Sequence, residues 1–473
     1  MSVWSALALG FTYLSPLVAI YSLFAFGLMI GGPGSIFWIL IVGAGQMLVA
    51  LVMGEVVSQF PIAGGIYPWM RRLAGMRTAW LTAWVYVWAM IVTITSVAEY
   101  AGGFFATVLG IPSDVFAANP LIGLACAVGL LLLALLLNLG GTKSLARIAK
   151  IGLGAELVGV VGLGLYLLIF HRQNDVSIFW ASFGSADYGS AFVAAALVGL
   201  FMFYGFEACG DVAEEVTDAA REVPKAMYLT IIVGGVSALA SFSGYVLAAP
   251  PQLLADVASG ANTDPIGTIL KADLGGELGE RLFLIIAVMA FISCVLSLQA
   301  AASRLLHSFA RDHMLPASGW LGKISDRTKV PTNALLVASI VPMILCVIIF
   351  VNPATLIPIT TFAVLGIYIA FQSVVLASLI QRFRGWKPAG PWNLGGFGIV
   401  VNVLALAYGL WAISWLLQPG ASGDWFTDNV SLVGVVTVLV PGLLYLFIAR
   451  PYLRSNAPHS DAIEVANKMR AGK

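Results

Sequence analysis

Long apolar runs separated by short polar segments extend along the whole chain. Residues 1–54 contain no charged side chain, and Gly31-Gly32-Pro33-Gly34 divides this run into two. A helix needs about 20 mainly apolar residues to cross the hydrocarbon core of a bilayer. The pattern therefore predicts an all-α integral membrane protein with 12 transmembrane helices, near residues 4–30, 36–60, 80–108, 119–139, 148–170, 189–208, 226–249, 282–304, 333–352, 356–380, 394–418 and 430–449.

Lys and Arg residues are distributed unevenly among the segments that connect these spans. If the N-terminus lies in the cytoplasm, 21 of the 24 Lys and Arg residues fall on the cytoplasmic side. Positive residues are enriched in the cytoplasmic loops of membrane proteins. We therefore expect a multi-pass protein of the plasma membrane, typical of a bacterial inner membrane, with both termini cytoplasmic. Residues 1–450 form a single polytopic domain in this interpretation, and residues 451–473 form a cytoplasmic tail.

Composition narrows the class of protein further. Hydrophobic residues make up 60% of the 473 positions, charged residues make up 10%, and the mean hydropathy is +0.95. Soluble globular proteins carry about 25% charged residues. A soluble fold, a disordered chain and a nucleic-acid-binding protein are therefore excluded. We expect the lipid bilayer and a small-molecule substrate as partners, whereas the oligomeric state is not indicated.

No constellation of side chains typical of an enzyme is visible. The four Cys residues are unclustered, and the four His residues fall in predicted loops, at a span end or in the tail. No His pair stands inside a span, where haem or a metal ion would need one. We therefore expect no cofactor, no metal site, no catalytic residue and no enzymatic activity.

Acidic residues occur inside the predicted spans. Glu156 lies in the fifth span and Glu207 near the end of the sixth, whereas Glu55 and Glu99 lie near span ends, where we expect solvated or capping roles. A charge at the bilayer centre costs about 2.5–3.5 kcal/mol, so it needs a partner, a proton or a water-filled cavity. Carboxylates inside the spans, with no Lys or Arg residue deep in any span, favour the binding of a cation. Alternatively, Glu156 forms a structural pair with Lys150.

Two spans carry signals for interrupted helices. Pro16 stands within the first span, and Gly205 and Gly210 flank Glu207 in the sixth. Proline removes a backbone donor, and glycine weakens a helix. Spans 1 and 6 are five apart, the spacing of corresponding helices in a five-plus-five inverted repeat whose broken helices meet at mid-membrane. Two simple kinks are the alternative interpretation.

Three stretches resemble the amino acid–polyamine–organocation (APC) superfamily of permeases, and they are closest to its amino acid/choline subgroup. They follow spans 2, 6 and 8 and are specific in order and spacing. Together with the predicted topology, the resemblance covers nearly the whole chain. The residues concerned are Glu55, Pro61 and Gly64-Gly65-Ile66-Tyr67-Pro68-Trp69; Gly205-Phe206-Glu207, Ala213-Glu214-Glu215, Arg221 and Pro224-Lys225-Ala226; and Ser303-Arg304, Ala310-Arg311-Asp312, Pro316 and Pro331.

The resemblance implies a leucine-transporter-like fold with inverted repeats at about 4–170 and 189–380 and two peripheral helices within 394–450. Substrate would lie between spans 1, 3, 6, 8 and 10. The substrate-binding residues would be the unwound part of span 1, the unwound part of span 6 and an aromatic gate: Ser15, Pro16, Leu17, Val18 and Ala19; Phe203, Tyr204, Gly205, Phe206 and Glu207; and Phe201.

Two positions depart from the pattern of this superfamily. Many relatives have Gly-x-Gly in span 1, where bare backbone amides hold an amino-acid carboxylate, but this chain has Pro16-Leu17-Val18. Several relatives have Lys in span 5 at the position of Glu156. An acid there would take up a proton, or it would bind sodium together with Ser293 and Ser297 of span 8. Ordinary helix-packing roles for the two serines are the alternative.

These features together predict a secondary active transporter, a permease that works by alternating access and proton-coupled symport. Its solute would be small and amine-bearing, such as an amino acid, GABA, a choline-like compound or a polyamine. The coupling ion would be H⁺, with Na⁺ as the alternative. A sodium-coupled symporter and an exchanger are the alternatives within this class, and a membrane-embedded enzyme subunit or a transporter-like sensor is the alternative from another class.

Overall fold

The computed structural model describes residues 3–181, 187–420 and 423–472. Within these ranges the chain forms helices and turns, with no strand. Ten helical segments there are long and apolar enough to cross a membrane. The first of them, Val3–Gln59, has 57 residues, and Tyr188–Met202 is a shorter apolar helical segment. The count of 12 spans stays a prediction, because it requires two crossings in the first segment and one through the shorter segment.

The first half of the chain contains eleven helices before the interruption of the sixth predicted span. A π-helical stretch, Leu157–Gly162, joins α8 to α9. The helices are α1 (Val3–Leu14), α2 (Pro16–Gly31), α3 (Phe37–Gln59), α4 (Ile66–Ala74), α5 (Met76–Val108), α6 (Ser113–Ala118), α7 (Pro120–Leu139), α8 (Thr142–Glu156), α9 (Leu163–Phe170), α10 (Tyr188–Ala194) and α11 (Leu197–Met202).

The second half continues with short α12 and ends in a helix of the predicted tail. Its helices are α12 (Ala208–Asp211), α13 (Ala219–Ala248), α14 (Pro251–Ala258), α15 (Pro265–Asp273), α16 (Glu277–Arg311), α17 (Ser318–Leu321), α18 (Thr332–Val351), α19 (Leu356–Phe383), α20 (Gly398–Leu416), α21 (Trp425–Asp428), α22 (Val430–Ala449) and α23 (Ala462–Ala471).

The helices differ in how much of their surface faces other helices. Most of the apolar stretch of α5 is buried inside the bundle, whereas α22 buries only 11% of its own. An apolar helix that buries so little needs lipid around it, since its side chains would otherwise meet water. Thus α5 lies at the centre of the bundle and α22 at its periphery.

Buried ion pairs join the helices at the end of the bundle predicted to be cytoplasmic. Arg71 of α4 pairs with Asp312, which directly follows α16. Glu55, which we expected to be solvated or capping, is only 1% exposed and pairs with Arg382 of α19. The expectation of a solvated Glu55 is wrong because the loop after α19 covers it, with Leu394 donating its backbone N–H to the carboxylate at 2.7 Å.

The predicted tail folds back onto this same end. Asp461 pairs with Arg72 of α4, and the side chain of Gln59 donates to the carbonyl of Ala462 at 2.9 Å. Ala462 and Ala466 are buried against the bundle. Residues 451–472 are therefore docked on the helices, and Lys473 lies outside the described residues.

Candidate functional site

The first predicted span is interrupted at Ser15. The residue before a proline is disfavoured in the α-helical region, and Ser15 adopts φ +42° just ahead of Pro16. Its hydroxyl accepts the backbone N–H of Val18 at 3.3 Å and so caps α2. The expectation of unwound backbone from Ser15 to Ala19 is therefore wrong in extent. Pro16 fits the first position of a helix, where its missing N–H costs nothing, and Pro16, Leu17, Val18 and Ala19 form the first turn of α2.

The sixth predicted span is interrupted over a longer stretch. Phe203 to Glu207 separate α11 from α12, which agrees with the expected unwound part. Gly205 has φ +108°, a conformation that side chains with a Cβ rarely adopt. A Cβ added there would stand 2.6 Å from the backbone nitrogen of Leu14. The two interruptions therefore touch, and glycine permits the close approach.

Glu207 is held inside this contact. It is 1% exposed. The Tyr86 hydroxyl of α5 donates to its Oε1 at 2.7 Å, and the Gly205 backbone N–H donates to its Oε2 at 2.8 Å. Each carboxylate oxygen has further lone pairs, so an additional donor can still bind. Glu207 is thus a fixed, buried acceptor beside both interruptions.

Aromatic rings surround the interruptions on the side away from the ion pairs. The ring of Tyr204 packs edge-on against Tyr13, with centroids 6.3 Å apart, and against Phe201 at 5.6 Å. Phe201 in turn contacts Tyr100 of α5 at 6.2 Å. Within the described part of the chain, the buried hydroxyl of Tyr13 has no hydrogen-bond partner. These four rings form a cluster that offers aromatic surface, and the Tyr13 hydroxyl faces Glu207 and Tyr86 without meeting hydrogen-bond geometry.

Two predicted binding residues point elsewhere. A Cβ added at Gly43 of α3 would stand 3.0 Å from the ring of Phe203, which also approaches Gly235 of α13. Phe206 packs against Phe371 of α19 at 5.3 Å between ring centroids. The side chains of Phe203 and Phe206 therefore pack between helices, outside the cluster of four rings.

Glu156 ends α8 at the start of the π-helical stretch. It is fully buried, and neither carboxylate oxygen has a hydrogen-bond partner within the described ranges. The polar groups that face it without meeting hydrogen-bond geometry are the Ser15 hydroxyl and the backbone N–H of Leu17. Leu17 also packs against Gly159 of the π-helical stretch. The structure thus brings Glu156 to the interruption of the first span, at the N-terminus of α2.

The two serines of α16 lie beside the same interruption. Ser297 shares a 2.8 Å hydrogen bond with Thr12 of α1. Ser293 is buried without a hydrogen-bond partner in the described structure, and a Cβ on Gly152 would stand 2.0 Å from its hydroxyl oxygen. Gly152 precedes Glu156 by about one helical turn. The carboxylate, both serines and Thr12 therefore line one contact between α1, α8 and α16.

A cavity lies at one end of the bundle, and a further ion pair lies at the other. A cavity of about 420 Å³ is lined by residues of α5, α6, α15 and α16, including Tyr100 and Phe104. Tyr100 is also a member of the aromatic cluster, so the cavity reaches that cluster from the end predicted to be external. At the opposite end, Arg304 of α16 binds Glu215 at 3.1 Å, in addition to the buried pairs described above. Ion pairs therefore join the helices at the predicted cytoplasmic end.

Sequence reasoning missed several residues that the fold places here. Tyr13, Tyr86 and Tyr100 lie in apolar helices where tyrosine alone gives no signal, because only the tertiary contacts show where each hydroxyl points. Thr12 was inconspicuous for the same reason. A buried carboxylate, the Tyr13 hydroxyl and aromatic faces together can receive an ammonium group by hydrogen bonds and by cation–π attraction.

Comparisons with known proteins agree on one class. The family model described as amino acid permease matches residues 1–440. An Arabidopsis thaliana protein named Amino-acid permease BAT1 is 25% identical over 88% of this chain and 84% of its own length. Its rice homologue, from Oryza sativa subsp. japonica, is 25% identical over 86% and 82%. A choline transporter of Saccharomyces cerevisiae is 25% identical over 92% of this chain and 78% of its own length.

Proposed function

We propose, since this chain belongs to the amino acid permease family of multi-pass membrane transporters, that it is a secondary active transporter for a small amine-bearing solute. The solute would be an amino acid, GABA, a choline-like compound or a polyamine, moved by alternating access and coupled to protons. The observation that carries the proposal is the contact between Gly205 and Leu14, where two interrupted helices meet beside the buried carboxylate of Glu207.

The ammonium group would bind between Glu207 and the aromatic cluster. Tyr204 and Phe201 would offer their rings to the cation, and the hydroxyl of Tyr13 would accept one of its hydrogen bonds. Ser15 and the first turn of α2, from Pro16 to Ala19, would form the opposite wall. One relative is named as a choline transporter and others as amino-acid permeases, which supports an amine without deciding whether it carries a carboxylate.

Glu156 would couple transport to an ion. An unpartnered buried carboxylate is costly as an anion, so it favours the uptake of a proton or a cation. Proton coupling is the simpler choice, since a proton needs no other ligand. Sodium coupling is supported by the hydroxyls of Ser293 and Ser297 beside Glu156, because hard cations bind oxygen ligands. Rocking of one helix group against the other would then expose the site to each side in turn.

The proposed architecture has 12 spans, both termini in the cytoplasm and a leucine-transporter-like inverted repeat with two peripheral helices. It is supported by interruptions in the first and sixth predicted spans and by Lys and Arg residues concentrated at one end. The position of α22, which buries little of its surface, suits a peripheral helix.

Uptake into proteoliposomes tests the transport proposal. We expect saturable uptake of at least one amine from a panel of choline, putrescine, GABA and arginine, stimulated by an inward proton gradient. A sodium gradient imposed separately distinguishes the alternative. If no member of the panel shows saturable uptake under either gradient, the proposal is wrong.

A second experiment tests the coupling residue. Glu156→Gln keeps the shape of the side chain but removes its charge and its proton, so we expect uptake to lose its dependence on the driving ion gradient. Glu277→Gln is the matched control, because Glu277 is an exposed acid in the first turn of α16. Unchanged pH and sodium dependence in Glu156→Gln would remove Glu156 from the coupling mechanism.

A further inference from the structure

Asp211 is a buried acid that the proposed transport cycle does not use. It ends α12, one helical turn after Glu207, so the two side chains start about 6 Å apart. Its side chain is 1% exposed, and neither carboxylate oxygen has a hydrogen-bond partner in the described residues. A carboxylate in such a position is unstable as an anion unless a cation reaches it.

The carboxylate packs directly against the loop that joins α3 to α4. A Cβ added to Gly65 would stand 2.4 Å from Oδ1 of Asp211, and Gly65 has φ +50°. The backbone N–H of Gly64 also donates to the backbone carbonyl of Asp211 at 3.3 Å. This loop also contacts Ser308 of α16, whose hydroxyl donates to the carbonyl of Ala63, so the position of Asp211 is tied to how the loop packs at the predicted cytoplasmic end.

Among the described residues, the charge of one cation, Arg304, acts on the acid. The ionisable groups whose charge acts on Asp211 from its own span and from α1, α5 and α16 are Glu207, Cys209, Tyr13, Tyr86 and Arg304. Arg304 alone in this set is a cation. In this structure its guanidinium binds Glu215 at 3.1 Å from Nη2 and 3.2 Å from Nε. The two carboxylates therefore compete for one guanidinium.

We propose that Asp211 is a second proton-binding site, and that the proton on its carboxyl group keeps the predicted cytoplasmic end closed. In the closed state the neutral acid packs against Gly65 without a partner. When its O–H bond breaks and the proton passes to cytoplasmic water, the carboxylate is left charged against the loop. Movement of the loop and a turn of Arg304 from Glu215 towards Asp211 relieve that charge. The inference rests on the proposed function in one respect, namely that this opening is a step of transport.

Labelling of an introduced cysteine tests the opening directly and needs no substrate. Ser308 of α16 is buried, and its Cβ lies 2.7 Å from where a Cβ of Gly64 would stand. The four native Cys residues are also buried. The thiol introduced by Ser308→Cys therefore reports movement of the loop through its rate of labelling by a maleimide. This rate is divided by the labelling rate of the unfolded protein at the same pH. The ratio removes the effect of pH on the ionisation of the thiol itself.

We expect this ratio to rise by about tenfold per pH unit through the titration of Asp211. Added to the Ser308→Cys background, Asp211→Asn mimics the neutral acid, so the ratio should stay low at every pH. Asp218→Asn is the matched control, because Asp218 lies shortly after Asp211 in the sequence but its side chain is 52% exposed. This variant should keep the full pH response. A flat ratio in the parent, or an unchanged response in Asp211→Asn, would overturn the proposal.

Infrared spectroscopy of the purified protein gives a second measurement that does not depend on gate movement. Asp211→Asn should lose one protonated-carboxyl band that is present in the unmodified chain at neutral pH, and Asp218→Asn should lose none. An unchanged carboxyl region in Asp211→Asn would show that Asp211 is ionised and would refute the site. Because neither readout involves uptake, failure of the transport proposal and failure of this inference are separately detectable.

Discussion

Substitution of Gly205 by alanine tests the contact on which the proposed site depends. Gly205 has φ +108°, and an added Cβ would lie 2.6 Å from the backbone nitrogen of Leu14 and 2.9 Å from the ring of Tyr13. The nearest atoms belong to backbone and to a buried ring, so no flexible side chain can give way. The two interrupted spans must separate or the backbone of Gly205 must move.

The cost of this substitution has two parts. A non-glycine residue in a sparsely populated backbone region costs about 1–3 kcal/mol. Inserting a methyl group into a well-packed core costs about 1–3 kcal/mol more. We therefore expect Gly205→Ala to lower the free energy of unfolding by about 2–6 kcal/mol. Most single substitutions cost about 0.5–3 kcal/mol, so this one should stand out.

Thermal unfolding of the purified protein in detergent, with and without a stabilising amine, measures both stability and binding. Gly205→Ala should unfold at a lower temperature and should gain less stability from the amine, because Leu14 and Glu207 are no longer held together. Gly129→Ala is the matched control. Gly129 lies within α7 with no atom within 4 Å of an added Cβ, so alanine should be neutral or stabilising by about 1 kcal/mol there.

Equal stability and equal response to the amine in Gly205→Ala and Gly129→Ala would refute the reasoning. Such a result would mean that the two interruptions do not touch in the protein. The proposed binding site would then lose the observation that carries it.

Three further predictions concern the stability of buried contacts. Arg71→Ala should lower the free energy of unfolding by about 3–5 kcal/mol, since it removes the guanidinium that pairs with buried Asp312 and leaves the Tyr67 hydroxyl as a neutral donor to that carboxylate. Arg221→Ala, which breaks an exposed pair, should cost at most about 1 kcal/mol; equal shifts in thermal unfolding would contradict this. Tyr86→Phe should cost about 1.5–3 kcal/mol by removing the donor to Glu207, and a saturating amine should restore part of that stability in a thermal-shift assay. Deletion of residues 456–473 should lower the unfolding temperature, because it removes Asp461, whose carboxylate pairs with Arg72 of α4. Amine uptake should persist in this variant; loss of uptake would show that the docked tail is required for transport.

The extent to which the sequence predicted the site depended on the type of signal. Pro16 marked the first interruption, because proline disfavours helix in the residue before it. Gly205 beside Glu207 marked the second. The length of the first interruption was overestimated, since Pro16 starts a new helix at once and the chain resumes its hydrogen bonds after Ser15.

Acidic residues gave an ambiguous signal. The sequence located Glu156 and Glu207 inside spans, and both are buried beside the interruptions. Glu55 has the same chemistry and stands in an equally apolar stretch, yet it forms an ion pair with Arg382, a residue 327 positions away. No local pattern could have revealed that partner, because the pairing depends on how α3 and α19 pack.

The sequence by itself determined the membrane class, the main helices, the two weak points in them and the family resemblance. These follow from local physics: apolar runs partition into lipid, proline and glycine interrupt helices, and charges avoid hydrocarbon. Only the tertiary structure decided that Tyr86 fixes Glu207, that Phe203 and Phe206 turn away, and that Asp211 rests on Gly65. Those outcomes depend on which faces of distant helices meet, and a helix in lipid has no aqueous side to mark its facing surface in advance.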